Sequence, residues 1–396
     1  MRVPRFEPFS ALRYASSVDL DSAAAPPYDV LSTADVSRLL ARHPDNIVRV
    51  DVPGPDDDPL RYDNAATILR AWESSAVMVR DRAPSFTLYR MRFVTEDGVE
   101  RTTVGVLGAL EVVDEGAGGV LPHERTTPKA KTDRLDLTRA TVANLSPVWG
   151  LSLTTGLTEL LIEPAEPMGR CTDEDGVVHT VERVTDPARI ADIGAAVGAS
   201  PVLIADGHHR YAISRTYRDE RRADDGRGPW DLTLAYVGEL VASQLSIDAI
   251  HRLYAGAPYS QIQAELARSF HLSPAGRIDA GITREMVGRG ALCLAAPDRT
   301  GTWLEPRDGA FDGVRSLDGA WLEHALDGVE VDVGYQHGVG TVVDLVAAGS
   351  VTAGVLIRPT GIDEIRRTAD EGLLMPPKST FFTPKLRTGL VVRPLA

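Results

Sequence analysis

The chain contains the stretch Pro201-Val-Leu-Ile-Ala-Asp-Gly-His-His-Arg-Tyr-Ala-Ile-Ser214, in which an apolar run stops at Asp206-Gly207 and a helical pattern follows. The β-branched or bulky side chains of 202–204 predict a buried strand. From Tyr211 onward, apolar residues recur at helical spacing. The polar residues in between are therefore expected at a strand-to-helix junction, where the free N–H groups and the dipole of a helix start attract anions, above all phosphate.

This junction carries side chains suited to phosphate chemistry. Gly207 is expected to make the close turn, while backbone N–H groups and Arg210 hold phosphate oxygens. Asp206 is the candidate ligand of Mg²⁺, and Asp206 or His208 is the candidate group for moving a proton. His208 and His209 are further candidate phosphate contacts. The alternative is an Asp-Gly helix cap followed by surface histidines.

A second polar cluster occupies the stretch from Leu121 to Asn144, which is dense in charge without being repetitive. Glu124 is the candidate general base that takes a proton from a substrate hydroxyl. The candidate cations for neutralising phosphate charge are Lys129, Lys131 and Arg134. The candidate substrate contacts are His123, Thr126 and Asn144, joined near the C-terminal end by Lys378 and Ser379. A solvated loop of alternating charge, or an aromatic contact near Lys378, is the plainer interpretation of these segments.

Several familiar motifs fail. The zinc-protease pattern HExxH requires histidine where Thr127 stands, and the loop resembling a Walker motif has Pro377, which offers no N–H to phosphate. The glycine-rich stretches complete no dinucleotide fingerprint. Mg²⁺ delivered with a nucleotide is preferred to a bound transition metal, because adjacent histidines point in different directions on a helix.

The composition indicates which classes of binding partner and which cellular compartment to expect. A formal net charge of −14 opposes general attraction to nucleic acids and anionic membrane surfaces. Cys171 and Cys293 stand far apart without CxxC spacing, which favours a reducing compartment. With no apolar run long enough to span a bilayer, we expect a cytoplasmic protein with no membrane partner; a homo-oligomer is left open.

The pattern of elements predicts a mixed α/β (α+β) class. Three regions are expected: a mixed region at 1–120, a phosphate- or nucleotide-binding core at 121–255, and an α/β region at 256–396. Ser32–Arg42 is predicted as a helix, and Ile47–Asp51 is predicted as a strand.

The ordered motifs resemble those of the DUF1015 family, whose name records an unassigned function. They extend across nearly the whole chain: Pro26-Pro-Tyr-Asp29, His123-Glu-Arg-Thr126, Asn144-Leu-Ser-Pro147, Ala205-Asp-Gly-His-His-Arg-Tyr211 and Met375-Pro-Pro-Lys-Ser-Thr-Phe-Phe-Thr-Pro-Lys385.

The segment Asp206–Tyr211 also resembles the phosphate-binding turn of the ParB and sulfiredoxin superfamily. Its free serine kinases carry an Asp-Gly-His-x-Arg version, which this chain matches with His209 in the variable place. His208 stands where sulfiredoxins have their reactive cysteine, so sulfiredoxin chemistry is excluded. The resemblance implies a ParB/sulfiredoxin-like nucleotide-binding core with elaborations.

These features together predict a phosphotransferase that uses ATP or ADP, with CTP as the alternative, and Mg²⁺. Its substrate is a small hydroxyl metabolite, and a serine-like molecule is the first candidate. Two other functions stay open: a ParB-like nucleotide-binding switch without metabolite turnover, and a metal-dependent phosphatase.

Overall fold

The computed structural model describes residues 2–95, 98–123, 132–279, 281–376 and 378–396. It divides the chain into two compact units. Unit 1 comprises Met1–Val94, Glu100–Leu245 and Pro384–Ala396. Unit 2 comprises Thr95–Val99 and Ser246–Thr383.

Helices and strands alternate along both units. The helices of the described residues are α1 (Leu20–Ala23), α2 (Thr33–Arg42), α3 (Val48–Asp51), α4 (Arg61–Ser74), α5 (Thr132–Thr141), α6 (Leu157–Ile162), α7 (Pro187–Val197), α8 (His208–Asp225), α9 (Tyr259–Ser269), α10 (Ile282–Arg289), α11 (Asp318–Ala325), α12 (Val339–Ala347) and α13 (Ile362–Asp370). The strands are β1 (Phe6–Glu7), β2 (Leu12–Tyr14), β3 (Met78–Arg80), β4 (Phe86–Val94), β5 (Glu100–Glu111), β6 (Val120–Pro122), β7 (Ala143–Asn144), β8 (Val148–Ser152), β9 (Glu166–Thr172), β10 (Val178–Val184), β11 (Val202–Asp206), β12 (Leu232–Glu239), β13 (Ser246–Asp248), β14 (Ile250–Ala255), β15 (Phe270–Arg277), β16 (Leu292–Ala295), β17 (Thr300–Pro306), β18 (Asp332–His337), β19 (Ala353–Leu356), β20 (Phe381–Thr383) and β21 (Arg393–Pro394).

A mixed sheet forms the centre of unit 1. Its strand order is β6-β11-β8-β12-β5-β4-β10-β9, with β1 paired to β5. Strand β11 runs parallel to β6 and β12 runs parallel to β8, while the other pairs are antiparallel. Every residue of β12 is buried, as expected for a central strand covered on both faces. The predicted mixed α/β class is confirmed.

Regions 1–120 and 121–255 both supply strands to this sheet. The C-terminal residues 384–396 return to unit 1, where Leu12 and Val392 exchange two backbone hydrogen bonds of 2.9 Å each. Arg393 pairs with Asn144 between β21 and β7. The three-region division stays a prediction about domain organisation.

Local chemistry explains one correct prediction and one error. The helical pattern from Ser32 to Arg42 is found as α2, which begins with a capping box between Ser32 and Asp35. The strand predicted for Ile47–Asp51 is wrong, because this segment forms α3. The side chain of Asn46 accepts the N–H of Val48 at 3.0 Å and starts a helical turn whose apolar residues are all buried.

Unit 2 is built on an antiparallel sheet with the order β15-β17-β16-β19-β14-β18. Alternate side chains enter cores on its two faces: Tyr254 packs in a cluster with residues of α9 and α11, and its neighbour Leu253 packs with residues of α10 and α12. No helix in the described ranges is long and apolar enough to cross a membrane.

Candidate functional site

The predicted strand-to-helix junction is found in unit 1. Strand β11 ends at Asp206, Gly207 turns the chain with φ +87°, and α8 begins at His208. Glycine adopts this left-handed conformation without the steric cost that a Cβ brings. Asp206 Oδ1 accepts the N–H of Gly207 at 2.9 Å, and among the described residues no side chain caps the first turn of α8. That turn therefore keeps its capacity to bind an anion.

Asp206 lies between two cations. Its Oδ2 is 3.3 Å from Arg210 Nη2 and 3.3 Å from Lys385 Nζ. Burial acts to raise the pKa of the Asp206 carboxyl, but Lys385 and Arg210 outweigh burial and lower this pKa to about 2. Asp206 is consequently a carboxylate at neutral pH, held at the entrance to α8.

Arg210 is fixed on several sides. Its Nη1 donates to the carbonyl of Pro147, and its Nη2 lies 4.0 Å from Asp29 Oδ2. The side chain is only 10% exposed. Burial acts to lower the pKa of Arg210, yet Asp206 and Asp29 raise it overall. Within the described ranges, its buried Nε has no hydrogen-bond partner. One N–H of a fully charged guanidinium is thus left to meet a ligand.

Two histidines pack beside the junction. The ring centroids of His123 and His208 are 5.0 Å apart, and Nδ1 of His123 lies 2.6 Å from the carbonyl oxygen of Ile204. Burial is the main cause that lowers the pKa of His123 to about 4 and that of His208 to about 3. Both rings are neutral near pH 7. The buried Nε2 of His208 has no hydrogen-bond partner among the described residues.

A small polar cleft adjoins Arg210. Its volume is about 50 Å³, enough for a few water-sized groups. Polar and aromatic side chains line much of it, among them Tyr28, Asp51, Arg134, Asn144, Ser146 and Arg210. The cleft and the phosphate-binding candidate therefore share Arg210.

An ion pair forms another part of the cleft lining. Asp51 Oδ1 lies 3.1 Å from Arg134 Nη1, and the two side chains are 3% and 13% exposed. The Arg134 guanidinium is stacked 4.1 Å from the centroid of the Tyr28 ring. Burial raises the pKa of Asp51, and Arg134 opposes this. Ser146 Oγ lies 3.5 Å from both Asp51 oxygens.

The structure brings together part of the predicted site. Asp206, Gly207, His208 and Arg210 surround the junction, and His123 packs beside them. His209, which is half-buried, follows in the same helical turn. Arg134 and Asn144 line the neighbouring cleft. Four predicted residues lie outside the described residues: Glu124, Thr126, Lys129 and Lys131.

Two of the predicted substrate contacts, Asn144 and Ser379, form hydrogen bonds with nearby backbone groups. Asn144 Oδ1 accepts the N–H of Leu234 at 3.0 Å, so this part of its side chain tethers β7 to β12. Lys378 and Ser379 belong to unit 2. There, the Ser379 hydroxyl donates to the carbonyl of Pro376 at 2.7 Å, and the Lys378 side chain is exposed. Their roles in substrate binding stay predictions.

The predicted site omitted several residues of the cleft and of the adjoining junction. Asp29 belongs to the quoted Pro-Pro-Tyr-Asp motif, and Ser146 belongs to Asn-Leu-Ser-Pro, so their presence in ordered motifs was the available signal. Lys385 closes the C-terminal motif, but the sequence did not predict its pairing with Asp206. Asp51 belongs to none of the quoted motifs, and the sequence predicts it at the end of a strand.

The magnesium assignment of Asp206 stays a prediction. Both of its oxygens accept hydrogen bonds, so a Mg²⁺ ion at Oδ2 would compete with Lys385 and Arg210. In the ranges that the structure describes, no group of three or more His, Cys, Asp or Glu side chains is placed to hold a metal ion.

Comparison with known protein families identifies the family of this chain. Residues 6–320 match the family described as "Protein of unknown function (DUF1015)". The chain belongs to this family. None of the curated proteins compared with the chain matches it.

The chain is also similar to several solved structures. A conserved hypothetical protein from Pyrococcus furiosus is 12% identical, with a TM-score of 0.36, and the match covers 68% of this chain and 92% of that one. Free serine kinase in complex with AMP is 13% identical, with a TM-score of 0.36 and coverage of 68% and 88%. SbnI from Staphylococcus aureus is 14% identical, with a TM-score of 0.38 and coverage of 73% and 87%.

Proposed function

We propose that unit 1 is a nucleotide-dependent phosphotransferase, and that the first turn of α8 holds the phosphates of ATP or ADP. The observation that carries the proposal is the buried Arg210 guanidinium beside an uncapped helix start. A helix N-terminus and an arginine together favour a phosphate group over any neutral ligand. The Asp-Gly-His-x-Arg motif, which resembles that of free serine kinases, agrees with this placement.

Each junction residue then has a defined task. Arg210 contacts a phosphate oxygen through Nε, while Asp206 and the Pro147 carbonyl keep its guanidinium in place. Lys385 adds a second positive charge at the same carboxylate. The neutral ring of His208 offers Nε2 to the ligand without adding charge. Rate enhancement would come from positioning and charge neutralisation, as phosphoryl transfer requires.

The adjoining cleft is proposed as the substrate site. It shares Arg210 with the phosphate site, so a small molecule bound there would lie beside the phosphate to be transferred. A carboxylate, a guanidinium and a hydroxyl line it, from Asp51, Arg134 and Ser146. These groups complement the ammonium, carboxylate and hydroxyl of a hydroxy amino acid. A serine-like substrate is therefore the first candidate.

The base that removes the hydroxyl proton is proposed to be Glu124. Glu124 follows His123 in the sequence, and the His123 ring packs against His208. Lys129 and Lys131 are proposed to neutralise phosphate charge. Mg²⁺ bound with the nucleotide would supply further neutralisation of the phosphate oxygens.

One observation favours a second candidate, a nucleotide-binding switch without turnover. Asp206 contacts Gly207, Arg210 and Lys385, which gives this carboxylate a structural task in place of proton transfer. Such a switch would bind nucleotide at the same turn and release no phosphorylated metabolite.

The deciding experiment incubates the purified chain with ATP or ADP, Mg²⁺ and a panel of hydroxy amino acids and hydroxy acids. Phosphorylated product is followed by ³¹P NMR, and nucleotide affinity by calorimetry. Product that disappears in Glu124→Gln supports the phosphotransferase. Binding without any product supports the switch, and absence of nucleotide binding would refute both.

A further inference from the structure

Unit 2 contains a buried arginine that forms no ion pair with any acidic side chain in the described part of the chain. Arg252, on β14, is 3% exposed. Its Nη1 donates to the carbonyls of Ile250 and Lys378, and the Tyr335 ring centroid lies 4.8 Å from its Cζ. Among the described residues, no carboxylate oxygen lies within 4.0 Å of the guanidinium, and Nε and Nη2 donate no hydrogen bond. A buried cation without an anion is costly.

The Nε and Nη2 edge of Arg252 faces the start of α11. A Cβ built on Gly319 would lie 2.7 Å from Nη2 and 3.9 Å from Nε. Gly319 is the second residue of α11, whose first turn has no side-chain cap. The helix start is the positive end of its dipole, so a guanidinium placed there is repelled unless an anion lies between or beside them.

The acidic group at the start of α11 is already paired. Asp318, the first residue of α11, is 8% exposed and binds Arg358 through both carboxylate oxygens at 2.5–3.2 Å. Asp318 also accepts the backbone N–H of Arg358 at 2.7 Å. Its charge is therefore used by Arg358, and the charge of Arg252 is left without an equivalent partner.

We propose that Arg252 and the first turn of α11 form an oxyanion-binding site in unit 2, which takes a carboxylate or phosphate group. The Nε–Nη2 edge provides two parallel N–H donors, the arrangement that pairs bidentately with such oxyanions. Backbone N–H groups at the helix start supply further donors. Tyr335 is 44% exposed, so the region lies near the protein surface. The site does not depend on the function proposed for unit 1.

The chain offers a matched pair of substitutions. Gly319→Ala puts a methyl group against Nη2 and forces the flexible guanidinium to move, which spoils its alignment with an anion. Gly340→Ala is the control, because Gly340 is likewise the second residue of its helix, α12, and a Cβ there meets nothing within 4 Å. Arg252→Lys keeps the charge and removes the fork of donors.

Binding of inorganic phosphate and, in a separate arm, of acetate is measured by calorimetry on the full chain and on Arg210→Ala, which lacks the anchor of the unit 1 site. We expect one site that persists in Arg210→Ala and prefers one of the two anions. Gly319→Ala and Arg252→Lys should weaken that site at least tenfold, with Gly340→Ala unchanged. Equal binding by Gly319→Ala and Gly340→Ala, or no binding of either anion by Arg210→Ala, would overturn the proposal.

Discussion

Lys385 donates a hydrogen bond to Asp206 over 3.3 Å, although 179 residues separate them in the chain. The contact joins the returning C-terminal segment to the end of β11. It also fixes the charge of the carboxylate that orients Arg210. The electrostatics of the candidate site therefore depend on a residue far from the motif that revealed it.

Removing Lys385 should raise the pKa of Asp206. Lys385→Met deletes one of the two cations that lower this pKa to about 2. A carboxyl with a lowered pKa stabilises the fold above its ordinary value of 3.8, and that stabilisation is lost as the pH falls through the folded-state pKa. The variant should be less stable by about 1–2 kcal/mol at pH 6, with the difference shrinking towards pH 2.

Urea unfolding of both proteins across this pH range measures the effect, and NMR titration of the carboxyl measures the pKa itself. A constant difference at every pH would show that Lys385 acts through packing and not through the charge of Asp206.

Arg210 should dominate nucleotide affinity. Arg210→Ala removes a charge-assisted phosphate contact of roughly 1.5–3 kcal/mol, and thus weakens binding about ten- to hundredfold. Arg210→Lys should recover only part of this loss, because lysine lacks the planar fork. Calorimetry with ADP provides the measurement.

The control for Arg210 is Arg215→Ala on the same helix. Arg215 pairs with Glu115, which is 85% exposed, so its removal should leave ADP affinity unchanged. Equal losses in the two variants would point to a general effect of helix charge.

The buried histidine at position 123 should make unit 1 sensitive to mild acid. Burial lowers the pKa of His123 from 6.5 to about 4. Between these two pH values the imidazole is protonated in the unfolded chain and neutral in the folded chain. The contribution that the neutral His123 makes to the free energy of unfolding is fully present above pH 6.5 and is lost as the pH decreases towards 4. This one group should cost about 2 kcal/mol between pH 7 and pH 5.

His123→Gln should remove the share of this loss that comes from His123, since an amide can donate to the Ile204 carbonyl without titrating. The share of His208, whose pKa burial also lowers, should remain. Chemical unfolding at pH 7 and pH 5 tests the difference. If the variant loses as much stability as the parent chain, the proton uptake lies elsewhere.

Tyr89 should be important for stability, because its hydroxyl belongs to a buried relay, a chain of hydrogen bonds from Arg387 to Asp173. The Tyr89 hydroxyl accepts the N–H of Arg387 at 2.9 Å and lies 2.8 Å from His179 Nδ1. The opposite ring nitrogen of His179 is 3.0 Å from Asp173 Oδ2. Tyr89→Phe leaves the Arg387 N–H without its buried acceptor, and we expect a loss of about 1–3 kcal/mol.

The matched control is Tyr217→Phe, also buried in unit 1. Within the described residues, the Tyr217 hydroxyl makes no hydrogen bond, so its removal should change the free energy of unfolding by less than about 0.5 kcal/mol. Similar losses in both variants would refute a specific role for the relay.

The sequence was most informative where one local pattern was sufficient. The apolar run before Asp206, the glycine at 207 and the helical spacing after it predict β11 and α8 because these signals act over a few neighbouring residues. The capping box of α2 is another local signal that could be recognised in advance.

Long-range contacts could not be predicted in the same way. Asp51 lies at the end of an apolar segment that alternates like a strand, and only its burial against Arg134 shows that it belongs to the cleft. The pairing of Lys385 with Asp206 likewise depends on strand order, which no single segment encodes. Side chains supplied by distant segments therefore formed the part of the site that was missed.

The return of residues 384–396 to unit 1 also has a consequence for biosynthesis. A ribosome completes 246–383, nearly all of unit 2, before it makes Lys385. Nascent chains that stop within unit 2 therefore carry the Asp206–Arg210 motif without its lysine partner. Assembly of the candidate site therefore waits for synthesis of the segment that follows unit 2, and products truncated before Lys385 hold no finished site.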